Sequence, residues 1–420
     1  MILSAPPLLS GREYFYFLLL SLTALSISLS IEYAYYVKLT RFDDAVIGVT
    51  VLKHYAKERE GTKYDVLQLQ SDEGAKFYIT SKAPLKNLAG YRSRVWVKTA
   101  SIGFLDYIRG FATKGQIIAL EREKGQRYRL GDGLKVLHTD AAAAQLYGAL
   151  FLALPLTANL QERFSCLGVS HLLAISGFHL GVLSIVLFSL FRRPYQYLQQ
   201  RWFPYRHRNR DLFVVVALVL GSYLLFLGDV ASLLRAYAML IVGYVLHDRG
   251  MKIVSMQTLF ITLILLLSIW PRLLFSIGFW LSISGVYFIF LYLRHFGGEP
   301  KYVAFTAVPV WVYLMMTPVS LVLFGNYSLY HPLSVVWSIL FTFFYPLALL
   351  LHLLGFGAGL DAALAFFLAG ELNSTRFFLP LYWLIPYALL ALGASYSRKV
   401  LFLLLLVALG VSVTAVYQVA

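Results

Sequence analysis

Charge and cysteine are what this sequence has least of. Of its 420 residues 14% are charged and one is a cysteine, whereas 59% are hydrophobic. Soluble domains carry about a quarter charged residues, so the composition excludes an ordinary soluble protein and indicates a membrane protein. Cys166 has no second cysteine for an internal disulfide, and no cluster of cysteine and histidine is spaced for a zinc or iron–sulfur site. We therefore expect no metal and no other cofactor.

Sequence motifs of common enzymes are missing too. The chain has no G-x-x-x-x-G-K-S/T phosphate loop and no H-E-x-x-H zinc motif. We therefore expect that it does not hydrolyse nucleotides and is not an enzyme.

The few charges that remain are mostly positive. There are 36 Lys and Arg against 21 Asp and Glu, a net charge of +15. Residues 37–135 alone hold 19 Lys and Arg against 11 Asp and Glu, and they contain no apolar run long enough to cross a bilayer. This excess predicts a soluble basic domain whose partner is anionic.

Alternation with a period of two runs through the first part of that domain. It is typical of short strands at 46–51, 64–69, 76–80 and 94–99, separated by turn residues. Several short strands in so few residues favour a small barrel, and an OB-like barrel is the type that binds single-stranded nucleic acid. We expect an OB-like basic domain over 37–112, followed by interfacial connecting helices over 113–165.

Long apolar runs occupy the remainder. Residues 1–36 contain one, which we interpret as a first transmembrane helix although a signal peptide is the alternative. Residues 166–420 contain the others, and we expect an α-helical membrane domain with about ten spans in the whole chain, some of them broken. The runs lie at 14–31, 166–191, 212–227, 233–246, 253–270, 277–293, 303–324, 333–354, 377–394 and 400–419.

Arginines clustered in one loop predict the orientation in the membrane. The loop 192–211 carries six arginines and one acid, and loops rich in Lys and Arg stay in the cytoplasm. Counting from that loop places the N-terminus in the cytoplasm and residues 37–165 outside it. The count fails after residue 355, so either 355–370 makes a partial extra crossing or one later segment does not span.

Residues 168–181 are unusually polar for the beginning of an apolar helix. They include Ser170, His171, Ser176, Gly177 and His179. Polar groups at membrane depth are costly and commonly mark function. The alternative is structural, because Gly-x-x-x-Gly spacing favours helix packing and Ser and His can hydrogen-bond neighbouring helices.

Two further segments bring charge into the apolar runs. Asp229, Ser232 and Arg235 lie at the beginning of one, and Arg272 and Trp280 at the beginning of another. Arginine presents a fixed fork of donors that suits phosphate, and Trp280 is a candidate for stacking on a base. Arg235 can pair with an acid such as Asp229, reach the membrane surface or face water, and the sequence leaves these alternatives open.

A serine protease of the intramembrane type is a less favoured alternative. Ser176 would be its nucleophile and His171 or His179 its base. These residues lie five and three positions apart on one segment, a spacing that does not assure hydrogen-bond reach.

The polar segments resemble the ComEC-type competence proteins, the inner-membrane channels for DNA internalisation in bacteria. Residues 168–181 are similar to the family's run Gly-x-Ser-His-Leu-Leu-Ala-Ile-Ser-Gly-Leu-His-Val-Gly, departing at Phe178 and Leu180. Further similar positions are Ser232, Arg235, Ala236 and Met239, then Pro271, Gly278, Phe279, Leu281 and Ser282, and, less specifically, residues 324–329 with Pro332 and Pro346. Departures are Ala231 for the family's Pro, Trp280 for Gln and Ser334 for Asn.

This resemblance implies a channel that translocates single-stranded DNA across the bacterial inner membrane during natural transformation. The ten residues singled out above, from Ser170 to Trp280, would line the DNA pathway, and the OB-like domain would lie outside the cytoplasm. The alternative is a permease or flippase for another polyanionic or lipid-linked substrate.

The resemblance also implies partners. Besides membrane lipids and sequence-nonspecific single-stranded DNA, we expect a periplasmic DNA-delivery protein and a cytoplasmic helicase or single-strand-binding protein. Many members carry a C-terminal metallo-β-lactamase-like domain, whereas this sequence ends in an apolar run at Ala420. We therefore expect a separate nuclease if one strand is degraded.

Overall fold

The fold divides into two compact units. The computed structural model describes residues 11–419 except 60–61, 84, 174, 229–230, 249–254 and 369–374. One unit comprises residues 6–134 and 261–277, and the other comprises 135–260 and 278–420. We call them the β unit and the helical unit, after their main secondary structure.

The β unit begins with one long apolar helix, α1, Gly11–Leu39, which is apolar enough over its length to cross a membrane. Six strands follow it, with a short helix, α2, Phe104–Arg109, between the fourth and the fifth. The strands are β1 Asp44–Arg59, β2 Thr62–Ser71, β3 Lys76–Ser81, β4 Tyr91–Lys98, β5 Phe111–Ala112 and β6 Gly115–Lys124.

One six-stranded sheet contains all of these strands, in the order β5-β3-β2-β1-β4-β6. Strand β1 is long enough to pair with two partners: Asp44–Thr50 pairs with β4, and Val49–Arg59 pairs with β2, with a register shift between Val51 and Lys53. Such a bulge bends a strand and increases its twist, so a single strand can belong to both halves of the sheet.

Residues 111–115 pair with β3 on one side of the sheet and with β4 on the other. Strand β5 pairs with β3 in parallel, whereas β6 pairs with β4 antiparallel. Between them the Thr113 N–H donates to the Tyr78 carbonyl at 3.0 Å, and its hydroxyl donates to the Lys98 carbonyl at 2.6 Å. A Cβ at Gly115 would lie 2.9 Å from Ile79 of β3 and 2.8 Å from the Trp96 carbonyl of β4. Only glycine fits where the two edges approach so closely.

The period-two prediction is confirmed in the core of the β unit. Alternate residues of β1 to β4 are fully or almost fully buried, as strand geometry requires when one face packs inward. They are Val49, Val51, Leu67, Leu69, Phe77, Ile79, Val95 and Val97, with Tyr107 and Ile108 of α2 packed against them. The predicted boundary at residue 112 differs from the structure, because β6 extends the sheet to Lys124. Its charged end, Glu121 to Lys124, concealed the alternation in the sequence.

The remaining elements lie in the helical unit, except that residues 126–134 of the third helix and 261–269 of the tenth belong to the β unit. After α3, Gln126–Leu137, come short helices α4, Ala141–Leu152, and α5, Ala158–Cys166, where the sequence predicted short connecting helices. The others are α6 Ser170–Leu173, α7 Gly177–Trp202, α8 Arg208–Leu227, α9 Ala231–Asp248, α10 Met256–Ile269, α11 Ile277–Phe296, α12 Lys301–Leu323, α13 Ser334–Leu353, α14 Asp361–Leu368, α15 Leu384–Ala394 and α16 Arg398–Val419. A two-stranded ladder joins β7, Asn326–Tyr327, to β8, Thr375–Arg376.

Every apolar run predicted from the sequence contains a helix. Within the described residues, six helices are long and apolar enough to cross a membrane, and four further apolar helices are shorter. The protein is therefore a mostly helical membrane protein with a small β domain, whereas the count of about ten spans stays a prediction. Residues 355–370 hold a 3-10 turn, Gly357–Leu360, and the short helix α14.

Candidate functional site

The centre of the candidate site is a break between α6 and α7. Helix α6 ends at Leu173, and α7 begins at Gly177, with Ser176 extended at φ −121° and ψ 178°. The Ser176 backbone N–H donates to Nδ1 of His179 at 3.1 Å, and its hydroxyl lies 3.0 Å from the same atom. His179 is fully buried. The polar residues that the sequence singled out therefore lie on both sides of a break, whereas the sequence predicted one continuous run over 166–191.

Arg235 of α9 is the buried charge at this break. The residue is only 5% exposed, and a Cβ added at Gly177 would lie 3.5 Å from its Nη2 atom. Its Nε donates to Ser282 Oγ of α11 at 2.7 Å, and its Nη1 donates to Met239 Sδ at 3.1 Å. Both acceptors are neutral. Among the described residues no carboxylate lies within 4.0 Å of the guanidinium.

A buried charge whose partners among the described residues are all neutral is costly. Burying a guanidinium among apolar side chains costs several kcal/mol unless an anion or a dense set of acceptors compensates it. Asp229, one of the partners that the sequence left open, lies outside the described residues. The described arrangement around Arg235 is therefore suited to bind an anion.

Other contacts hold the break between helices. The Ser232 hydroxyl of α9 donates to the Ile175 carbonyl at 2.6 Å. His171 lies 3.2 Å from Ser338 Oγ of α13 through Nε2 and 3.1 Å from the Gly168 carbonyl through Nδ1. Helices α9, α11 and α13 thus each place a polar side chain against the break or against Arg235.

Aromatic side chains of α13 cover His179. The Tyr345 ring packs edge-on with its centroid 4.3 Å from that of the imidazole, and the Phe341 ring lies at 5.4 Å. Because Nδ1 accepts the Ser176 N–H, the imidazole proton is on Nε2, which has no hydrogen-bond partner among the described residues. His179 therefore carries a buried donor that is not used by the fold.

The Ser176–His179 contact bears on the protease alternative. The distance of 3.0 Å is within hydrogen-bond reach, which the sequence spacing did not assure. However, the same Nδ1 atom accepts the Ser176 backbone N–H, as in a helix cap. A serine nucleophile also needs a third group that orients its base, and among the described residues no side chain bonds the other nitrogen of His179.

Three further predicted site residues differ in exposure and surroundings. Ser170 is exposed at the first position of α6. Trp280, which is 39% exposed, precedes Ser282 by two positions and therefore lies on a different side of α11. Arg272 belongs to the β unit, where its Nη2 donates to Glu32 Oε2 of α1 at 2.6 Å and to the Tyr107 hydroxyl of α2 at 3.0 Å.

Sequence reasoning missed several members of the site. Ser282 was part of a matched motif but was not singled out, and Ser338 and Tyr345 were not considered. The available signal was weak, because isolated Ser and Tyr residues are common in apolar helices and their partners lie far along the chain.

A second candidate site is the outer face of β1 to β3, which we call the basic face. Residues between the core positions point outward, and the register aligns Lys53 with Gln68 and Gln68 with Tyr78. The Gln68 amide donates to the Tyr78 hydroxyl at 3.0 Å. The outward-pointing residues are Lys53, Tyr55 and Lys57 on β1, Tyr64, Gln68 and Gln70 on β2, and Lys76, Tyr78 and Thr80 on β3, whereas Val66 among them is buried.

Charge on the basic face is of one sign. None of its residues is acidic, and the one acid of the described part of β2, Asp65, points to the other face, where it lies 3.4 Å from His54 Nε2. Lys57 Nζ lies 5.8 Å from the Tyr55 ring centroid. Burial, followed by the neighbouring Tyr55, raises the pKa of Tyr78, so its ring remains neutral at physiological pH. Lysines beside neutral tyrosines are suited to contact phosphates and stack bases.

Comparison with known families connects the chain with one family. A family model described as Competence protein matches residues 155–417, which is more than half of the chain. The chain belongs to the competence protein family. The matched range contains the break between α6 and α7, Arg235 and Ser282, and family membership connects the chain with DNA uptake for competence. No curated protein and no solved structure matches this competence protein.

Proposed function

We propose that this competence protein is a channel for single-stranded DNA in the bacterial inner membrane during natural transformation, and that it is not an enzyme. The observation that carries the proposal is Arg235, a buried guanidinium whose hydrogen-bond acceptors among the described residues are neutral. A DNA strand offers one phosphate per nucleotide, so successive phosphates can compensate this charge as the strand moves.

The geometry of the break supports a passing ligand. Arg235 presents a fork of donors, and His179 adds a buried N–H without a partner among the described residues. Ser176, Gly177, Ser232 and Ser282 surround these groups with short polar or small side chains. In this proposal the remaining predicted residues, Ser170, His171, Asp229, Arg272 and Trp280, line other parts of the pathway or support it.

We interpret the β domain as an OB-like barrel in which residues 111–115 connect β3 to β4. The bonds of Thr113 to both edges support this interpretation. In OB-like barrels the second and third strands contribute to the nucleic-acid surface, and here those strands form the basic face together with β1, which carries two of its three lysines. Such a surface binds without sequence preference and loses affinity as salt is added.

Orientation and partners complete the proposal. Residues 37–165 lie in the periplasm and the N-terminus in the cytoplasm, following the arginines of the 192–211 loop. A periplasmic protein delivers the DNA, a cytoplasmic helicase or single-strand-binding protein receives it, and a separate nuclease degrades the other strand if it is degraded.

The test is import in a naturally competent host. Cells without this chain are expected to take fluorescent DNA into the periplasm but not into the cytoplasm, and wild-type chain is expected to restore entry. Unchanged entry without the chain would contradict the channel. A permease or flippase for another anion would then explain the buried arginine.

A further inference from the structure

A second polar cluster lies inside the helical unit, formed by His138, His352 and Asp361. They come from the link between α3 and α4, the last turn of α13 and the first residue of α14. His138 Nδ1 lies 2.9 and 3.1 Å from the two carboxylate oxygens of Asp361, and its Nε2 lies 3.2 Å from His352 Nε2. His138 and Asp361 are 6% and 7% exposed.

The contacts of this cluster need one proton more than two neutral imidazoles and an ionised carboxylate carry. His352 Nδ1 lies 2.7 Å from the Ala348 carbonyl, which can only accept, so this nitrogen bears a proton. If the His352 ring is neutral, its Nε2 is a lone pair. His138 Nδ1 faces a carboxylate, so this contact also needs a proton. If both rings were neutral and Asp361 ionised, one of the two contacts of His138 would set lone pair against lone pair.

We propose that His138, His352 and Asp361 form a buried proton-binding site, which holds three protons where two neutral imidazoles and a carboxylate would hold two. The third proton occupies either the contact between the two Nε2 atoms or the contact with the carboxylate. With it every contact is a hydrogen bond and the cluster is neutral. Without it the cluster has a charge of −1 in an apolar interior, which is unfavourable.

The surroundings of the cluster give no other compensation. Among the described residues His138 is the one basic side chain within 4.0 Å of the Asp361 carboxylate. Tyr147 of α4 is the remaining titratable group packed on the cluster, with its ring centroid 4.6 Å from that of His138 and 4.4 Å from that of His352. Its buried hydroxyl has no hydrogen-bond partner in the described structure. A neutral phenol cannot balance the carboxylate, so the balance depends on the proton.

A metal ion fits the cluster less well. Asp361 bonds the nitrogen of His138 that points away from His352, so only two ligands face each other. Among the described residues no group of three or more His, Cys, Asp or Glu side chains could hold a metal ion.

One aromatic ring connects the proton site with the break. The Phe151 ring lies 4.9 Å from that of His352 and 6.0 Å from that of Tyr345, and Tyr345 packs on His179. Loss of the third proton loosens the contact between His138 and α13, the helix that covers the break. Its effect on DNA passage rests on the proposed function, whereas proton binding itself does not.

The direct test is nitrogen NMR of the full chain in lipid nanodiscs, with labelled histidine and aspartate. At pH 7.5 we expect a protonated nitrogen in the contact between the two Nε2 atoms and a second proton in the contact of His138 Nδ1 with Asp361. Assignments come from the loss of signals in His138→Gln and His352→Gln. A contact without a proton in the folded protein would overturn the proposal, and so would one equivalent of bound zinc in the purified protein.

A second test measures the linked stability. The unfolded chain holds only two of the three protons above about pH 7, because free Asp and His titrate near 3.9 and 6.5. Stability should therefore fall as the pH rises, with the unfolding constant in mixed micelles increasing tenfold more per pH unit in wild type than in Asp361→Asn. In this variant the asparagine amide donates to His138 Nδ1 and His138 Nε2 donates to His352, so the cluster is neutral without a third proton. Tyr147→Phe, the control, should keep the wild-type slope.

Equal slopes in wild type and Asp361→Asn would overturn the proposal. If Asp361→Asn does not fold, the wild-type spectrum decides alone.

Discussion

Arg272 of the β unit and Arg235 of the helical unit are both largely removed from solvent, but they differ in what they bind. Arg272 donates to the Glu32 carboxylate at 2.6 Å and stacks over the Tyr107 ring at 5.1 Å. Arg235 donates to a serine hydroxyl and a thioether. The first charge is compensated within the protein, whereas the second has only neutral partners among the described residues.

In the proposed function this difference separates a structural arginine from one that binds DNA. The Arg272 pair joins α1 to the turn before α11, and Tyr107 remains a neutral acceptor because burial raises its pKa, although Arg272 lowers it. Arg235 also joins two helices, α9 and α11, but through a neutral hydroxyl. Sequence reasoning placed both residues on the DNA pathway, and the ion pair of Arg272 gives that residue a structural role that the sequence did not indicate.

Arg235→Gln should have the largest effect. Losing a desolvated charge that pairs with phosphate costs roughly 3 kcal/mol, so cytoplasmic DNA entry should fall about 100-fold while the protein remains in the membrane at its normal amount. Fluorescent DNA uptake and membrane immunoblots measure the two quantities. Arg235→Lys keeps the charge without the fork and should retain intermediate activity. Loss of the protein itself would instead indicate a structural role and would break the comparison.

Substitutions at Arg272 should act on stability rather than on passage. Arg272→Gln leaves Glu32 unpaired, and losing this charge-assisted bond should cost about 2 kcal/mol of unfolding free energy. The double variant Arg272→Gln, Glu32→Gln should recover part of the loss, because no unpaired charge remains. DNA entry per molecule of folded protein should be unchanged. A 100-fold loss of entry at normal protein amount would make Arg272 a second binding arginine.

The lysines of the basic face differ from both arginines, because their charges lie on the outer face of the sheet rather than in an interior. Replacing Lys53, Lys57 and Lys76 by glutamine should lower the slope of log affinity against log salt by about 2 units, at roughly 0.7 per phosphate contact on a single strand. Titrating labelled single-stranded DNA onto the full chain in nanodiscs measures it. Lys135→Gln, outside the basic face, is the control. An unchanged slope would remove this face from DNA binding.

His171→Asn should have the smallest effect. It removes the contact with Ser338, and a neutral hydrogen bond contributes about 1 kcal/mol, so entry should fall fivefold at most. Import assays in the competent host measure this. A loss as large as that of Arg235→Gln would mean that His171 contacts DNA, and the comparison would then no longer rest on charge alone.

The sequence predicted what depends on local pattern. The strands followed from alternation and the helices from apolar runs, because each signal repeats within one element. The beginning of α7 at Gly177 was not predicted, because the apolar run at 166–191 gave no sign that the helix is interrupted within it. The boundary of the β domain was placed too early, since pairing of β6 with β4 depends on a partner that local pattern does not reveal.

Pairing between distant residues could not be predicted. Arg272 and Glu32 are 240 positions apart, and Arg235 and Ser282 are 47 apart. Each side chain has several chemically possible partners, and only the packing of the helices decides among them. For the same reason the sequence did not indicate the cluster of His138, His352 and Asp361.

The most direct test turns Arg235 into a paired arginine like Arg272. Ser282 Oγ lies 2.7 Å from Arg235 Nε, so Ser282→Asp places a carboxylate beside the guanidinium, and Ser282→Asn is the neutral control of the same size. We predict that Ser282→Asp abolishes DNA entry at normal protein amount, whereas Ser282→Asn retains most of it. Equal entry in both variants would show that the free charge of Arg235 is not what the DNA needs.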